Sequence, residues 1–131
     1  MLILCTGNSA RSQMAEGLLR ELASDRYEVM SAGSAPSVVH PLAVAAMAER
    51  SIDIADYRSK HLDEFLETAF DFVITVCDNA AESCPAFPGS ARRLHWSFPD
   101  PAAVEGSPES RLSSFRTIRD TIESRLVEWL G

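Results

Sequence analysis

The segment from Phe70 to Val76 constrains the fold most, because it is a nearly unbroken run of apolar and β-branched residues. Such a run is typical of a strand in a parallel sheet that is covered on both faces. Shorter strand patterns lie at Met1 to Leu4 and at Tyr27 to Ser31, where the second one stops at Ala32-Gly33. A weaker pattern lies at Arg92 to His95. We therefore expect four short strands.

Helical patterns separate these strands and close the chain. After the first strand, one helical face is predicted to be polar at Glu16, Arg20 and Glu21, and the opposite face is apolar at Met14, Ala15, Leu18, Leu19 and Leu22. His40-Pro41 opens a second helix, whose apolar residues are Leu42, Val44, Ala45 and Met47. A long amphipathic helix begins at Pro108. Strands that alternate with helices predict an α/β fold, with a four-stranded, mostly parallel sheet flanked by helices.

The 131 residues contain no internal repeat and no Ser/Gly linker, so we expect a single domain that covers residues 1–131. The net charge of −7 argues against a broad surface for nucleic acid or for anionic membranes. No stretch approaches the roughly 18 apolar residues that span a bilayer, and the apolar opening is too short for a signal peptide. The expected location is the cytoplasm.

Three cysteines are an odd number in a chain with no recognisable export signal. Catalytic, metal-binding or buried thiols are therefore expected rather than a static disulfide framework. Parallel α/β sheets place ligands at the carboxyl ends of their strands. Cys5 and Cys77 both fall at such ends, which makes them the first candidates for a functional site.

The segment CTGNSARS joins the first predicted strand to the first helix and has the composition of an oxyanion cradle. Gly7 and Asn8 tolerate the left-handed backbone angles that turn successive N–H groups inward, and the helix start adds partial positive charge. Arg11 offers a planar fork for two oxygens of a tetrahedral anion. The residues expected to bind the anion are Thr6, Gly7, Asn8, Ser9, Ala10, Arg11 and Ser12.

Cys5 begins this cradle and is a candidate nucleophile. The surrounding amides and the helix dipole are expected to lower the pKa of Cys5, so that its thiolate attacks the central atom of the anion. Ser9 or Ser12 can cap the helix or donate a hydrogen bond to the sulfur. A cysteine and an arginine alone also fit a buried filler thiol near a surface charge. The strand before and the helix after them favour the functional interpretation.

The stretch CTGNSARSQMAEG closely resembles the phosphate-binding loop and following helix of low-molecular-weight protein tyrosine phosphatases and of thioredoxin-coupled arsenate reductases. The resemblance continues through SAG at Ser31 to Gly33, through FDFVITVCDNAAESCP and through HWSFPDPA, so it covers most of the chain. It implies the fold shared by those two families, with Cys5 as the nucleophile and Arg11 as the arginine of the loop.

In the arsenate reductases two redox cysteines follow the third strand, and the resemblance assigns these roles to Cys77 and Cys84. Without the resemblance, Cys77 fits a buried strand-end residue and Cys84 an incidental one. The two thiols can form a disulfide only if the intervening turn or short helix rearranges. A zinc site with His40, His61 or His95 is a further alternative, but no closely spaced pair of ligands supports it.

Asp100-Pro101 also has two interpretations. Asp-Pro is common in turns, whereas the resemblance makes Asp100 the acid that protonates the leaving oxygen. The phosphatases usually follow this dipeptide with aromatic residues that line a tyrosine-binding cleft. Here Ala102-Ala103 follows, so a phosphotyrosine ring would lack its walls.

The chain departs from the family pattern at two other positions. Many relatives have a cysteine where Ala10 stands, so a side disulfide is not expected here. Some arsenate reductases hold potassium through residues that match Asn8, Glu16 and Ser31 and through an aspartate at the position of Lys60. We expect the Lys60 ammonium to take the place of the cation or the site to be absent, and an ordinary solvated lysine is the alternative.

The resemblance implies reduction of arsenate to arsenite through a Cys5, Cys77 and Cys84 relay, with no bound cofactor or metal and with electrons from reduced thioredoxin. Arsenate and thioredoxin are the expected partners, and a monomer is the expected state. The main alternative is a low-molecular-weight phosphatase that hydrolyses phosphate monoesters through phospho-Cys5. A third is a non-enzymatic redox sensor or anion-responsive binding protein.

Overall fold

The computed structural model describes residues 1–78 and 91–131. Its sheet has four strands, namely β1 (Leu2–Cys5), β2 (Met30–Gly33), β3 (Phe72–Thr75) and β4 (Arg92–His95). Their spatial order is β2-β1-β3-β4, and each neighbouring pair is parallel. The predicted α/β class and parallel sheet are confirmed.

Three α-helices pack around this sheet in the described part of the chain. They are α1 (Arg11–Ala23), α2 (Pro41–Ala48) and α3 (Pro108–Leu130). Two short 3-10 turns, Leu62–Phe65 and Pro101–Ala103, lie in the connections. The weak strand pattern at Arg92 and the long helix at Pro108 are both confirmed.

The core lies where α1 and α3 cover the central strands. Every residue of β1 is buried, as expected for a strand with a neighbour on each side and helices on its faces. The largest fully buried side chains of the two helices are Met14, Leu18, Leu19, Phe115, Ile122 and Leu126. Burying each such side chain contributes about 1.5–3 kcal/mol, so this apolar packing holds the carboxyl ends of the strands in fixed positions.

The burial predicted for α1 is wrong at two residues, and that predicted for α2 is only partly right. Leu22, predicted to be buried, is 39% exposed, and Glu16, predicted to face outward, is only 2% exposed. Glu16 is buried because its carboxylate accepts a hydrogen bond from Ser31 and lies near two cations, which offset the loss of water. In α2 the predicted Met47 is buried, Leu42 and Val44 are half-buried, and Ala45 is exposed. Ala43 and Ala46 are buried instead, on a helix that packs against α3.

The second strand, predicted over Tyr27 to Ser31, begins only at Met30. The ladder between β1 and β2 begins with Leu2 opposite Met30, so the earlier residues have no strand beside them. Tyr27 packs instead against the rings of Phe72 and Trp129. For the described residues, no helix is long and apolar enough to cross a membrane.

The parallel topology brings four chain segments to one edge of the sheet. β1 ends at Cys5, β2 at Gly33, and β4 at His95. Past the end of β3, the Val76 amide donates to the Leu4 carbonyl at 2.9 Å, so the next residue, Cys77, follows the same edge. Cys5 and Cys77 therefore lie at the same edge, as the general rule for α/β sheets predicts.

Candidate active site

The loop from Thr6 to Ala10 connects β1 to α1 and is organised by the buried Asn8. Its backbone has φ of 44°, a left-handed angle that asparagine tolerates. The Nδ2 atom donates to Ser12 Oγ at 2.8 Å and to Ser31 Oγ at 2.9 Å. The Oδ1 atom accepts from Gln13 Nε2 at 2.9 Å and from the Lys60 amide at 2.8 Å. Asn8 thus ties the loop to its surroundings through four hydrogen bonds.

The structure corrects the expectation for Gly7. The positive-φ residues of the described chain include Asn8 but not Gly7, so a single left-handed residue turns the loop. The Gly7 carbonyl instead accepts hydrogen bonds from Ser59 Oγ at 3.0 Å and from the Ser37 amide at 3.3 Å. Two neighbouring segments therefore hold the loop in place from outside.

Helix α1 begins without a side-chain cap. Its N-cap residue is Ala10, and no side chain accepts a hydrogen bond from the first turn. The predicted cap by Ser9 or Ser12 is wrong, since Ser12 is already the first-turn acceptor for Asn8. An uncapped helix start offers N–H groups and partial positive charge, which is the arrangement that binds an oxyanion.

Gly33 at the end of β2 lies directly against the loop. A Cβ atom at this position would come within 2.3 Å of the Thr6 carbonyl oxygen and 2.9 Å of the Asn8 amide nitrogen. Both contacts are with backbone atoms, which cannot move without changing the loop. The SAG motif is therefore required sterically for this loop conformation.

A cleft of about 210 Å³ opens above the loop, and the lining residues are Cys5, Thr6, Gly7, Ser9, Ala10, Arg11, Asp100 and Ala102. This volume is below the roughly 300 Å³ at which pockets for drug-sized ligands begin, and it fits a small anion. Arg11 is oriented by a 3.0 Å hydrogen bond from its guanidinium to the Phe98 carbonyl. Asp100 faces the same cleft, and its carboxylate also accepts from the Ala102 amide at 2.9 Å. In this position Asp100 can serve both as a turn residue and as the acid that protonates the leaving oxygen.

The thiols of Cys5 and Cys77 meet beneath this cleft. Both residues are buried, with exposed fractions of 4% and 5%, and their side chains share a hydrogen bond. Thr6 Oγ1 lies 3.3 Å from Cys77 Sγ. The contact arises because β1 and β3 are adjacent parallel strands that end at the same level. The geometry brings together the predicted nucleophile, Cys5, and one of the two predicted redox cysteines, Cys77.

The pKa of Cys5 differs from the sequence expectation. The hydrogen bond with Cys77 and burial raise the pKa of the Cys5 thiol well above its ordinary value. Arg11 and the Thr6 amide act in the opposite direction, as the loop motif predicts, but they are the smaller influences. The expected lowering is therefore wrong for this arrangement, because the partner thiol across the sheet is invisible in the local motif.

Cys84 lies outside the described residues, so its assigned role stays a prediction. The three histidines of the zinc alternative have separate partners. His40 caps α2, His61 caps the 3-10 turn that follows it, and His95 contacts Asp78. In the parts of the chain that the structure describes, residues 1–78 and 91–131, no three His, Cys, Asp or Glu side chains are grouped to hold a metal ion.

Behind the loop, Lys60 lies beside the buried Glu16. The ammonium is 3.8 Å from Glu16 Oε1 and donates to the Arg58 carbonyl at 2.8 Å. Burial lowers the pKa of Lys60, and the Glu16 carboxylate opposes this effect. Glu16 accepts from Ser31, which in turn accepts from Asn8. The lysine is therefore connected to the loop through a chain of polar contacts, and its replacement of a cation stays a prediction.

Gln13 and Thr6 are two residues whose positions the sequence did not indicate. Gln13 is buried on α1, and its Nε2 atom reaches the Asn8 carbonyl at 3.1 Å and the Arg58 carbonyl at 3.0 Å. The sequence offered one sign that Gln13 is buried, because this residue directly precedes Met14 and Ala15 on the apolar face of the helix. Thr6 was predicted to bind the anion through its amide, but nothing local indicates that its hydroxyl contacts Cys77.

Comparisons with known proteins agree with this geometry. A family model described as low molecular weight phosphotyrosine protein phosphatase matches residues 1–131. An arsenate reductase of Halalkalibacterium halodurans is 46% identical over 123 residues, 94% of this chain and 88% of that protein. An arsenate reductase of Bacillus subtilis is 43% identical over 126 residues, 96% of this chain and 91% of that protein.

Solved structures show the same similarity. A Corynebacterium glutamicum thioredoxin-dependent arsenate reductase is 32% identical, with a TM-score of 0.74 over 98% of this chain and 58% of that chain. A tyrosine phosphatase of Erwinia amylovora has a TM-score of 0.79 over 98% of this chain and 89% of that chain. It is only 17% identical, so it shows the shared fold alone.

Proposed function

Because this chain belongs to the low molecular weight phosphotyrosine protein phosphatase family, and because relatives over 40% identical to it are arsenate reductases, we propose that it reduces arsenate to arsenite with electrons from thioredoxin. The observation that carries this proposal is the contact between the Cys5 and Cys77 thiols under an oxyanion-sized cleft. Hydrolysis of a phosphate ester needs one thiol, whereas a two-electron reduction needs a second thiol within reach of the first.

In the first step, arsenate lies in the loop between the backbone amides and Arg11. The Cys5 thiolate attacks arsenic, and one oxygen leaves as water after Asp100 donates a proton. A sulfur–arsenic bond forms and one arsenic–oxygen bond breaks, with arsenic still in its oxidised state. Thiolate is required, and the two groups that lower the pKa of Cys5, Arg11 and the Thr6 amide, both belong to the loop.

In the second step, Cys77 attacks the sulfur of Cys5. The electron pair of the sulfur–arsenic bond passes to arsenic, arsenite leaves, and a Cys5–Cys77 disulfide forms. The two electrons come from the two thiols. Thr6 Oγ1 lies 3.3 Å from Cys77 Sγ, so its hydroxyl can donate to the thiolate that Cys77 must become, which favours this attack.

In the third step, Cys84 attacks Cys77 and frees Cys5, which leaves a Cys77–Cys84 disulfide. The dithiol of thioredoxin reduces that disulfide by the same exchange chemistry. Over the cycle, arsenic acid and two thiols give arsenious acid, one disulfide and one water. The role of Cys84 depends on the family resemblance.

The cycle as written exchanges bonds among sulfur, arsenic and oxygen only, so we propose no bound metal or organic cofactor. Thioredoxin supplies electrons in reducing compartments, which is consistent with a cytoplasmic protein. We also propose that the chain acts as a monomer, since one copy supplies every residue that the cycle uses.

Phosphate monoester hydrolysis is the second candidate, and the same cleft supports it. Cys5, Arg11 and Asp100 suit any tetrahedral oxyanion, so a slow phosphatase activity is expected. Ala102 lines the cleft where an aromatic wall would hold a phosphotyrosine ring, which favours a small inorganic substrate. A redox sensor that uses the same thiols would be oxidised once by arsenate without sustained production of arsenite.

The test is arsenite production with thioredoxin, thioredoxin reductase and NADPH. We expect many turnovers for the parent protein and none for Cys5→Ser, Cys77→Ser or Cys84→Ser. Hydrolysis of p-nitrophenyl phosphate, measured in parallel, should be lost in Cys5→Ser and retained in Cys77→Ser. If Cys77→Ser or Cys84→Ser reduces arsenate at the parent rate, thioredoxin coupling through these cysteines is wrong.

A further inference from the structure

His95 and Asp78 form a polar connection beside the candidate redox cysteine. In the register of β3 and β4, Thr75 lies opposite His95. Thr75 Oγ1 is 2.7 Å from His95 Nδ1, and His95 Nε2 is 2.9 Å from Asp78 Oδ1. One ring nitrogen is therefore anchored to the sheet, and the other holds the residue that directly follows Cys77.

The proton arrangement of this connection follows from its partners. The hydrogen bonds from His95 and from Ser97 lower the pKa of Asp78, so its carboxylate is ionised at neutral pH and can only accept. His95 Nε2 must then carry the proton and donate it to Asp78. Thr75 Oγ1 lies 2.7 Å from His95 Nδ1 and 3.4 Å from the Leu94 carbonyl oxygen, so its single hydroxyl proton has two acceptors within reach. With either acceptor, Nε2 of the ring faces Asp78.

The pair is poorly placed to stabilise the fold. The side chains of His95 and Asp78 are 40% and 78% exposed, and ion pairs of that exposure contribute little to the free energy of unfolding. The position of the His95–Asp78 pair next to Cys77 says more about its role than its contribution to stability does. Adjacent Cα atoms are about 3.8 Å apart, so fixing Asp78 restricts where the Cys77 side chain can go.

From this juxtaposition we infer that His95 is a positioning residue, which holds Cys77 against Cys5 through Asp78 during the attack that releases arsenite. The inference rests on the proposed function, because only arsenate reduction uses Cys77 as a nucleophile. The sulfur of Cys77 lies 3.3 Å from Thr6 Oγ1, and the His95 contact holds the residue next to Cys77. With both in place, the attacking sulfur stays within reach of Cys5 Sγ.

The inference is tested in a Cys84→Ser background, where the relay stops at the Cys5–Cys77 disulfide. Arsenate is mixed with the reduced protein, the reaction is stopped by alkylation, and the disulfide is measured by mass spectrometry at several arsenate concentrations. His95→Ala and Asp78→Ala should each lower the maximal rate about five-fold, which is the scale of an exposed charged hydrogen bond. The arsenate concentration that gives half of that rate should not change.

Two further variants separate positioning from general damage. His95→Gln keeps an amide donor for Asp78 and a carbonyl acceptor for Thr75, and should recover most of the rate. His61→Ala removes a histidine of similar exposure that contacts Asp63 at 3.4 Å, and should keep the parent rate. Hydrolysis of p-nitrophenyl phosphate should not fall in any of the four variants relative to the Cys84→Ser parent, because that reaction does not use Cys77 as a nucleophile.

A parent-like maximal rate in His95→Ala would overturn the inference, and so would a loss confined to arsenate affinity. An equal loss in His95→Gln and His95→Ala would also contradict it. If the Cys84→Ser parent itself forms no Cys5–Cys77 disulfide with arsenate, the failure belongs to the proposed function. The two failures are therefore distinguishable.

Discussion

Thr6 Oγ1 lies 3.3 Å from Cys77 Sγ, although the two residues are 71 positions apart in the chain. The contact joins the loop after β1 to the residue that follows β3, and it sets the sulfur of Cys77 beside that of Cys5. Because the two thiols share a hydrogen bond in one buried site, the removal of one changes the acidity of the other.

Removal of Cys77 is expected to lower the pKa of Cys5. The hydrogen bond with Cys77 is the largest cause of the raised pKa, and without it Arg11 and the Thr6 amide act against burial alone. Cys77→Ala should therefore be alkylated at Cys5 by iodoacetamide at a lower pH than the parent. Mass spectrometry of the Cys5 peptide over pH 6 to 10 measures this shift.

The same raised pKa gives a pH dependence for the parent. Below the pKa of Cys5 the thiolate fraction rises about ten-fold per pH unit, so the rate of Cys5 alkylation should increase with pH through neutrality. Cys84→Ser is the matched control and should give the parent profile. A profile in Cys77→Ala that is unchanged, or displaced to higher pH, would show that Cys77 does not raise the pKa of Cys5.

Gly33→Ala is expected to disable the oxyanion loop. Its Cβ would meet the Thr6 carbonyl oxygen at 2.3 Å, so the loop backbone must move away from β2. Displacements of this size lower catalytic rates by about a hundred-fold, and arsenite production should fall on that scale. Gly106→Ala is the control, because its φ of 130° also disfavours alanine, whereas its Cβ would meet only side-chain atoms of Ser110, the nearer at 3.6 Å. Equal activity losses in the two variants would contradict the steric argument.

Asn8→Ala is expected to destabilise the protein by about 2–4 kcal/mol, since it leaves buried partners without hydrogen bonds and keeps a left-handed backbone angle. Asn8→Gly loses the same bonds but tolerates the angle, so it should be about 1 kcal/mol less destabilising. Urea unfolding of both variants measures the difference. Greater stability of Asn8→Ala than of Asn8→Gly would be inconsistent with the observed φ.

Lys60→Ala is expected to cost about 1–3 kcal/mol, because the buried Glu16 carboxylate loses a nearby cation. If Lys60 takes the place of a monovalent ion, arsenite production by Lys60→Ala should rise with KCl but not with choline chloride, and the parent should respond to neither. Arg58→Ala, which removes a more exposed neighbouring cation, is the control. An identical salt response of Lys60→Ala and the parent would mean that Lys60 has no such role.

Glu49 links α2 to α3 through Arg116 at 2.6 Å and Arg119 at 2.8 Å. These hydrogen bonds lower the pKa of Glu49 to about 2, from 4.5. A lowered folded-state pKa contributes stability above pH 4.5 that is lost as the pH falls toward 2. Glu49→Gln should therefore melt at a lower temperature than the parent at pH 6, and the difference should shrink by pH 3. A constant difference would exclude this linkage.

Local patterns predicted much of the fold and the first half of the site. The strand and helix assignments follow from side-chain periodicity, and the Cys5 to Ser12 loop follows from turn-forming residues between a strand and a helix. The errors lie at residues whose burial depends on side chains brought close by the fold. Glu16 is polar and was placed outside, yet it is buried because Ser31, Arg20 and Lys60 surround it.

The order of strands and helices, and the chemistry that Cys5 and Arg11 offer, could be predicted because they depend on residues close together in the chain. The contact of Cys77 with Cys5, its effect on the pKa of Cys5, and the contact of His95 with the residue next to Cys77 emerged from the folded chain alone. Acidity and positioning depend on distances through space, and strand pairing sets those distances between residues far apart in sequence.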